Sequence, residues 1–180
     1  MTTKNNFYII TGGPGAGKTT LLENLSTKGY SFVPETARQI IKNRLALGQS
    51  PRPDPLSFAK DIFDTDYLNF RNNNDVISIL FFDRSFLDSA WQIATSDINE
   101  YNLKKDILQT HRYNNKVFIA PPWKDIYQTD AERDQTFEQS IVVFEQLCNW
   151  YLKHNYDIVE LPKTTVDNRI TFVLNHLPDK

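Results

Sequence analysis

The chain has 180 residues, 40% of them apolar and 23% charged, with a formal net charge of −2. That size fits one domain with a proper core, and the charge balance excludes a protein that works through a general surplus of Lys and Arg, so no nucleic-acid partner is expected. The single cysteine, Cys148, excludes an internal disulfide and any multi-cysteine metal site.

The first apolar run, in "MTTKNNFYII", is too short for a signal peptide or a membrane span, so no span and a cytoplasmic location are expected. Taken in order, short β-rich runs then alternate with longer helical stretches. The predicted strands are "FYIIT" (7–11), "SFVPE" (31–35), "VISILFFD" (76–83), "KVFIAP" (116–121) and "DIVELP" (157–162). The third and fourth are nearly continuous apolar runs, as strands covered on both faces are. Predicted helices follow the glycine-rich loop to about Lys28, then cover 36–47, 56–70, 132–154 and 166–177. "SPRPDP" (50–55) must be a loop. In the stretch 132–154, Phe137, Ile141, Phe144, Cys148 and Tyr151 recur at helical spacing and read as a core stripe, with Cys148 a small buried hydrophobe. No repeat or linker divides the chain, so residues 1–180 are expected to form one α/β domain, a parallel sheet wrapped by helices.

"GGPGAGKTT" (12–20) matches the P-loop pattern G-x-x-x-x-G-K-[ST], the Walker A motif, and sits in its required context between a strand and a helix. Gly12, Gly13, Pro14, Gly15, Ala16 and Gly17 are expected to turn backbone N–H groups toward one anion. Lys18 would bridge the β- and γ-phosphates, the Thr19 hydroxyl would ligate Mg²⁺, and Thr20 is placed to donate to the α-phosphate. An ATP or GTP site with Mg²⁺ follows. No Asn-Lys-x-Asp motif settles which base is bound.

Two further features end strands, where open α/β sheets hold their ligands. Glu35, in "VPETAR", tips the second strand, with Arg38 a helical turn further on; Asp83 and Arg84 tip the third. After the fourth comes "PPWKDIYQTDAERDQ" (121–135), carrying Lys124 and Arg133. Phosphoryl transfer needs a carboxylate near Mg²⁺, another carboxylate to orient or deprotonate the attacking hydroxyl, and cations for the developing charge. Asp83, Glu35 and the set Arg84, Lys124 and Arg133 can supply these in turn. A hydrolase instead needs a group that positions water, and a guanidinium has no lone pair for that. Arg84 therefore tilts the balance from hydrolysis toward transfer. Three blander readings stand beside these: Glu35 as only a cap for the following helix, Arg84 as only an ion-pair partner, and Arg133 as part of a solvated charged face.

The segments "ITGGPGAGKTTLLENL", "VPETARQII", "FFDRSFLDS", "RYNNKVFIAPPW", "DAERDQTFEQ" and "VELPKTTVDNRI" together resemble the P-loop nucleoside and nucleotide kinase superfamily. More narrowly, the chain resembles a small family of predicted AAA-type ATPases that includes the ribosylnicotinamide kinase domain of the bacterial NAD regulator and the animal TRP-like channel translocation-defect protein. The resemblance implies a three-layer α/β/α P-loop NTPase fold with a five-stranded parallel sheet in the order 2-3-1-4-5 and a lid at about 122–136. It also implies Glu35 as base toward an acceptor hydroxyl, Arg84 and the lid's Arg133 on the transferred phosphoryl group, and Lys163 and Thr164 near the base of the triphosphate. The segment carries fewer lid arginines than many nucleoside kinases do. The expected activity is ATP- and Mg²⁺-dependent phosphoryl transfer to a small, nucleoside-like hydroxyl acceptor. The alternative is a nucleotide-controlled ATPase- or GTPase-type switch or binding module with slow turnover.

Overall fold

In the computed structural model, which describes residues 2–51, 53–127 and 136–178, the central strands of the main sheet form where the sequence is apolar at successive positions. Strand β1 is Thr2–Thr3, β2 Phe7–Gly12, β3 Ser31–Val33, β4 Leu80–Asp83, β5 His111–Arg112, β6 Lys116–Ala120 and β7 Asp157–Glu160. Every residue of β2 and of β4 is buried. The helices are α1 Lys18–Thr27, α2 Thr36–Ala46, α3 Pro55–Asn72, α4 Phe86–Ser96, α5 Ile98–Thr110, α6 Phe137–Lys153 and α7 Val166–Leu174, with a 3₁₀ turn at Lys124–Ile126.

The main sheet has five parallel strands in the order β3-β4-β2-β6-β7. Counted among themselves these strands run 2-3-1-4-5, the order that the resemblance implies. β1 and β5 add a separate parallel pair of two residues each. Because side chains alternate across a strand, the sheet divides its residues between two cores. Phe7, Ile9 and Phe82 join an aromatic-rich core with residues of α3, α4, α5 and α6. Tyr8, Ile10, Phe81 and Phe118 pack with α1 and α7 on the other face. In the aromatic core Tyr113 lies 4.9 Å from Phe70 and 5.1 Å from Phe82, edge to face in both cases. The result is the three-layer α/β/α arrangement.

Several elements differ from the expectation. Helices α4 and α5 fill a region in which no helix is predicted. Their caps are local: Ser85 and Asp88 form a reciprocal capping box for α4, and the Asp97 side chain accepts from the N–H groups of Asn99 and Glu100 to start α5. The second strand stops at Val33, since Pro34 has no N–H to give a ladder. The third begins only at Leu80, because the Asn6 amide takes the carbonyls of Val76 and Ser78 at 2.9 and 2.8 Å. The last helix ends at Leu174 instead of 177.

The core stripe of α6 is also rotated. Ile141 is 38% exposed, Phe137, Phe144 and Cys148 are half-buried, and of the expected set only Tyr151 is buried. The buried face is Ser140, Leu147, Trp150 and Tyr151. A hydrogen bond and a close approach set this rotation: Trp150 Nε1 donates to Leu87 O at 2.9 Å, and Ser140 lies against the glycine-rich loop, its O 3.1 Å from where a Cβ on Gly13 would stand. Burial pushes the Cys148 thiol up to about 11, which suits an inert half-buried side chain.

Candidate phosphate and acceptor site

The register of β2 against its neighbours brings three strand ends together, with Asp83 opposite Ile10 and Ala120 opposite Gly12. At that edge β2 turns into the P-loop. Gly12 has φ +131°, and a Cβ there would stand 2.3 Å from Ala120 O, so only glycine lets the loop leave so close to β6. Gly17, with φ +77°, is the left-handed residue that opens α1, and it brings no side-chain cap to that helix start. The first N–H groups of α1 and of the loop thereby remain available to an anion.

Lys18 is 7% exposed and folds back on the loop, donating to Gly12 O at 3.2 Å and to Gly13 O at 2.8 Å. Burial, with Arg84 adding to it, pushes its ammonium down to about 8 against the pull of Asp83, Glu35 and Asp88. Thr19 Oγ1 stands 3.4 Å from Asp83 Oδ2, and Asp83 Oδ1 is buried with no hydrogen-bond partner. Burial raises the pKa of Asp83, with Lys18 opposing. A hydroxyl beside an orphaned carboxylate oxygen is a hard-oxygen pair suited to Mg²⁺, which takes few protein oxygens and fills its shell with water and phosphate. Among the described residues no group of three or more His, Cys, Asp and Glu forms a metal cage.

Opposite the P-loop, Glu35 sits at the N-cap of α2 but makes no cap hydrogen bond. Its two oxygens are taken instead by guanidiniums, Oε1 by Arg84 Nε and Oε2 by Arg38 Nε, each at 2.9 Å. Burial pushes the Glu35 carboxyl up, but Arg84, Lys18 and Arg38 together outweigh it and hold it well below the usual carboxylate range. Arg84 itself has φ 71°, a left-handed conformation uncommon outside glycine. Its N–H continues the ladder to Ile10 O at 3.0 Å, and the chain then turns into α4.

The sequence reading misses four residues of this assembly. Asp88 receives the Thr11 hydroxyl, the Tyr151 hydroxyl at 2.6 Å and the Ser85 N–H at 3.0 Å, and it stands 3.6 Å from Arg84 Nη1. It thus fixes both the guanidinium and the start of α4, and Tyr151 brings α6 to the same point. The pattern Ser85-x-x-Asp88 was the available signal. Arg169 of α7 is 2% exposed, donates from Nη1 to Ala16 O at 3.0 Å and lies 5.7 Å from the Trp123 ring centre. Its Nε and Nη2 have no hydrogen-bond partner among the described residues. Asp66 of α3 is buried and accepts the Thr36 hydroxyl. Neither Asp66 nor Arg169 carries a local sequence signal.

Lys18, Glu35, Arg38, Arg84 and Thr164 line one cavity of about 1130 Å³ that also takes in the P-loop and residues of α3 and α4. Among the described residues, Lys124 and Lys163 are not in its lining. Arg133, and most of the expected lid at 122–136, lie outside the described residues.

A family model described as an AAA domain matches residues 7–169, and the chain belongs to that family. Solved structures share the fold at low identity. Deoxyadenosine kinase from M. mycoides, with products dCMP and a flexible dCDP bound, superposes with a TM-score of 0.67 at 16% identity, over 94% of this chain and 97% of that one. NadR protein in complex with NR gives 0.71 at 18% identity, over 99% of this chain but 52% of that one. Thymidylate kinase from Ehrlichia chaffeensis gives 0.61 at 18%, over 97% and 98% of the two chains. The fold is thus that of the P-loop nucleoside and nucleotide kinases. No curated protein matches the chain. Among the described residues no helix is long and apolar enough to cross a membrane.

Proposed function

We propose that the protein moves the γ-phosphoryl group of ATP to a hydroxyl of a small nucleoside-like acceptor. The observation that carries this reading is Glu35, a carboxylate held by Arg38 and Arg84 in the wall of the same cavity that contains the P-loop. The solved structures that share the fold support it, since they include a nucleoside kinase and a nucleotide kinase.

The triphosphate tail lies in the P-loop against its N–H groups and Lys18, which exchanges its bonds to Gly12 O and Gly13 O for phosphate oxygens. Thr19 and Asp83 would hold Mg²⁺, which when bound neutralises charge on the phosphate oxygens. Glu35 orients the acceptor hydroxyl and accepts a hydrogen bond from it. With its affinity for protons held low by Arg84, Lys18 and Arg38, it acts mainly by fixing the direction of attack. Arg84 has its Nε on Glu35, and its fork faces charge building on the transferred group. Asp88 keeps that fork in place.

The test is incubation with Mg-ATP and a panel of ribo- and deoxyribonucleosides, followed by phosphorus NMR. A new phosphomonoester resonance with one member of the panel is expected. Release of inorganic phosphate alone, at a rate indifferent to every acceptor, would overturn the reading.

A further inference from the structure

We propose that Asp66 selects the acceptor, donating a hydrogen bond to a carbonyl oxygen or unprotonated ring nitrogen of a neutral, flat ring seated against Phe58, Ile62 and Trp91. This rests on the phosphotransfer reading and specifies its acceptor half.

Asp66 lines the half of the cavity made by α3 and α4, whose wall there includes Phe58, Ile62 and Trp91. It is 8% exposed. The Thr36 hydroxyl at the start of α2 donates to its Oδ1, and Asn69 Nδ2 lies 3.5 Å from the same hydroxyl. The charged groups facing it are Glu35 from the start of α2 and, from the β4–α4 junction, Asp88 and Arg84; the Tyr113 hydroxyl also lies within its field. The carboxylates among them disfavour a further negative charge, and Arg84 already serves Glu35 and Asp88. Among the described residues no Lys or Arg forms an ion pair with Asp66. A buried carboxyl in that company keeps its proton. With Oδ1 accepting from Thr36, the proton resides on Oδ2 and makes Asp66 a donor beside Phe58, Ile62 and Trp91, in a half of the cavity whose α4 side also carries Ser89, Gln92 and Thr95. Flat rings bind such walls by burial and stacking, and one buried donor sets their orientation.

The same half of the cavity argues against an anionic acceptor. Its described cations, Arg38 and Arg84, share their charge with Glu35, and Arg84 also with Asp88, so two carboxylates offset two guanidiniums and that half offers a phosphorylated acceptor little net positive charge. A neutral nucleoside fits that balance; a nucleoside monophosphate does not.

The experiment is calorimetric titration of wild type, Asp66→Asn and Asp66→Val at pH 7 with adenosine, guanosine, cytidine, uridine and their 2′-deoxy forms. A pyridinium riboside serves as cationic probe and Mg-ATP as control for the folded P-loop. For the best neutral nucleoside, Asp66→Val is expected to weaken binding at least 30-fold, and Asp66→Asn, which still donates, less than 5-fold, with Mg-ATP affinity the same in all three. The inference is overturned if Asp66→Val binds neutral nucleosides like wild type. It is equally overturned if Asp66→Asn loses as much as Asp66→Val and the pyridinium riboside is the preferred ligand, which would make Asp66 an ionised counter-charge. Failure of every nucleoside to bind wild type overturns it too. Asp66-dependent binding without phosphorylated product supports this inference and sinks the phosphotransfer reading. Product formed by Asp66→Val at the wild-type acceptor KM does the reverse.

Discussion

Glu35 Oε1 accepts from Arg84 Nε at 2.9 Å, a contact that ties the residue after β4 to the N-cap of α2. With Arg38 on the other oxygen, the carboxylate is held in one orientation, ionised, in the cavity that also contains the P-loop. Glu35→Gln should lower kcat by about 10²-fold, the scale of a lost positioning contact, while leaving the Kd for Mg-ATP unchanged, with turnover counted per folded molecule. Unchanged turnover in a less stable protein would show that Glu35 is only a structural joint.

Lys18 is buried with carbonyl partners and no carboxylate in salt-bridge range among the described residues, so the fold gains little from its charge. Lys18→Ala should abolish phosphoryl transfer and leave the thermal midpoint within roughly 4 °C of wild type. Circular dichroism melts beside the phosphorus NMR assay check both parts.

Arg169 anchors the P-loop at Ala16 O, yet carries two buried nitrogens without partners. Arg169→Met keeps much of the apolar stem and removes the anchor. Mg-ATP binding should weaken about 10-fold, the scale of one charged hydrogen bond of roughly 1.5 kcal/mol. The thermal midpoint should stay level or rise, since a buried charge that burial already pushes toward neutrality is relieved.

Gly12 has no room for a side chain: a Cβ would stand 2.3 Å from Ala120 O on backbone already at φ +131°. Gly12→Ala must push β6 away from β2 at the point where the P-loop starts. A loss of stability of at least about 3 kcal/mol is expected, read as a fall in the urea midpoint.

Asp66 has a pKa raised from 3.8 to about 8, by burial first and then by Asp88 and Glu35, against the Thr36 hydrogen bond and Arg84. Between those two values the folded chain keeps a proton that the unfolded chain has lost, so the group's contribution to stability falls as pH rises from about 4 to 8 and is level above. Asp66→Asn should therefore gain on wild type with rising pH across that window, by on the order of a few kcal/mol at pH 8. Urea unfolding of both proteins at pH 5 and pH 8 measures the difference. An equal gap at the two pH values would show that Asp66 is ionised in the folded chain.

What the sequence alone determined is whatever is written locally. The P-loop is a contiguous stretch whose glycines dictate their own turn, and the runs around Phe7–Gly12 and Leu80–Asp83 are apolar at nearly every position because both of their faces are covered. That Glu35 and Arg84 meet at one edge was suggested by strand tips that a parallel sheet gathers there, while the ion pair between them was not. Helix α4 was not among the predicted helices although Ser85-x-x-Asp88 marks its start, and α5 had little but the Asp97 cap to mark it. Only the tertiary structure decided the roles of Asp66, Asp88, Tyr151 and Arg169, whose partners lie far away in sequence: Tyr151 reaches Asp88 across 63 positions and Arg169 reaches Ala16 across 153. It also decided the rotation of α6, where a buried serine beside the P-loop and an indole bond to Leu87 override hydrophobic period. Periodicity reports which face of a helix avoids water. It carries no record of which buried polar group meets which, because that is fixed by the distance between elements once they have packed.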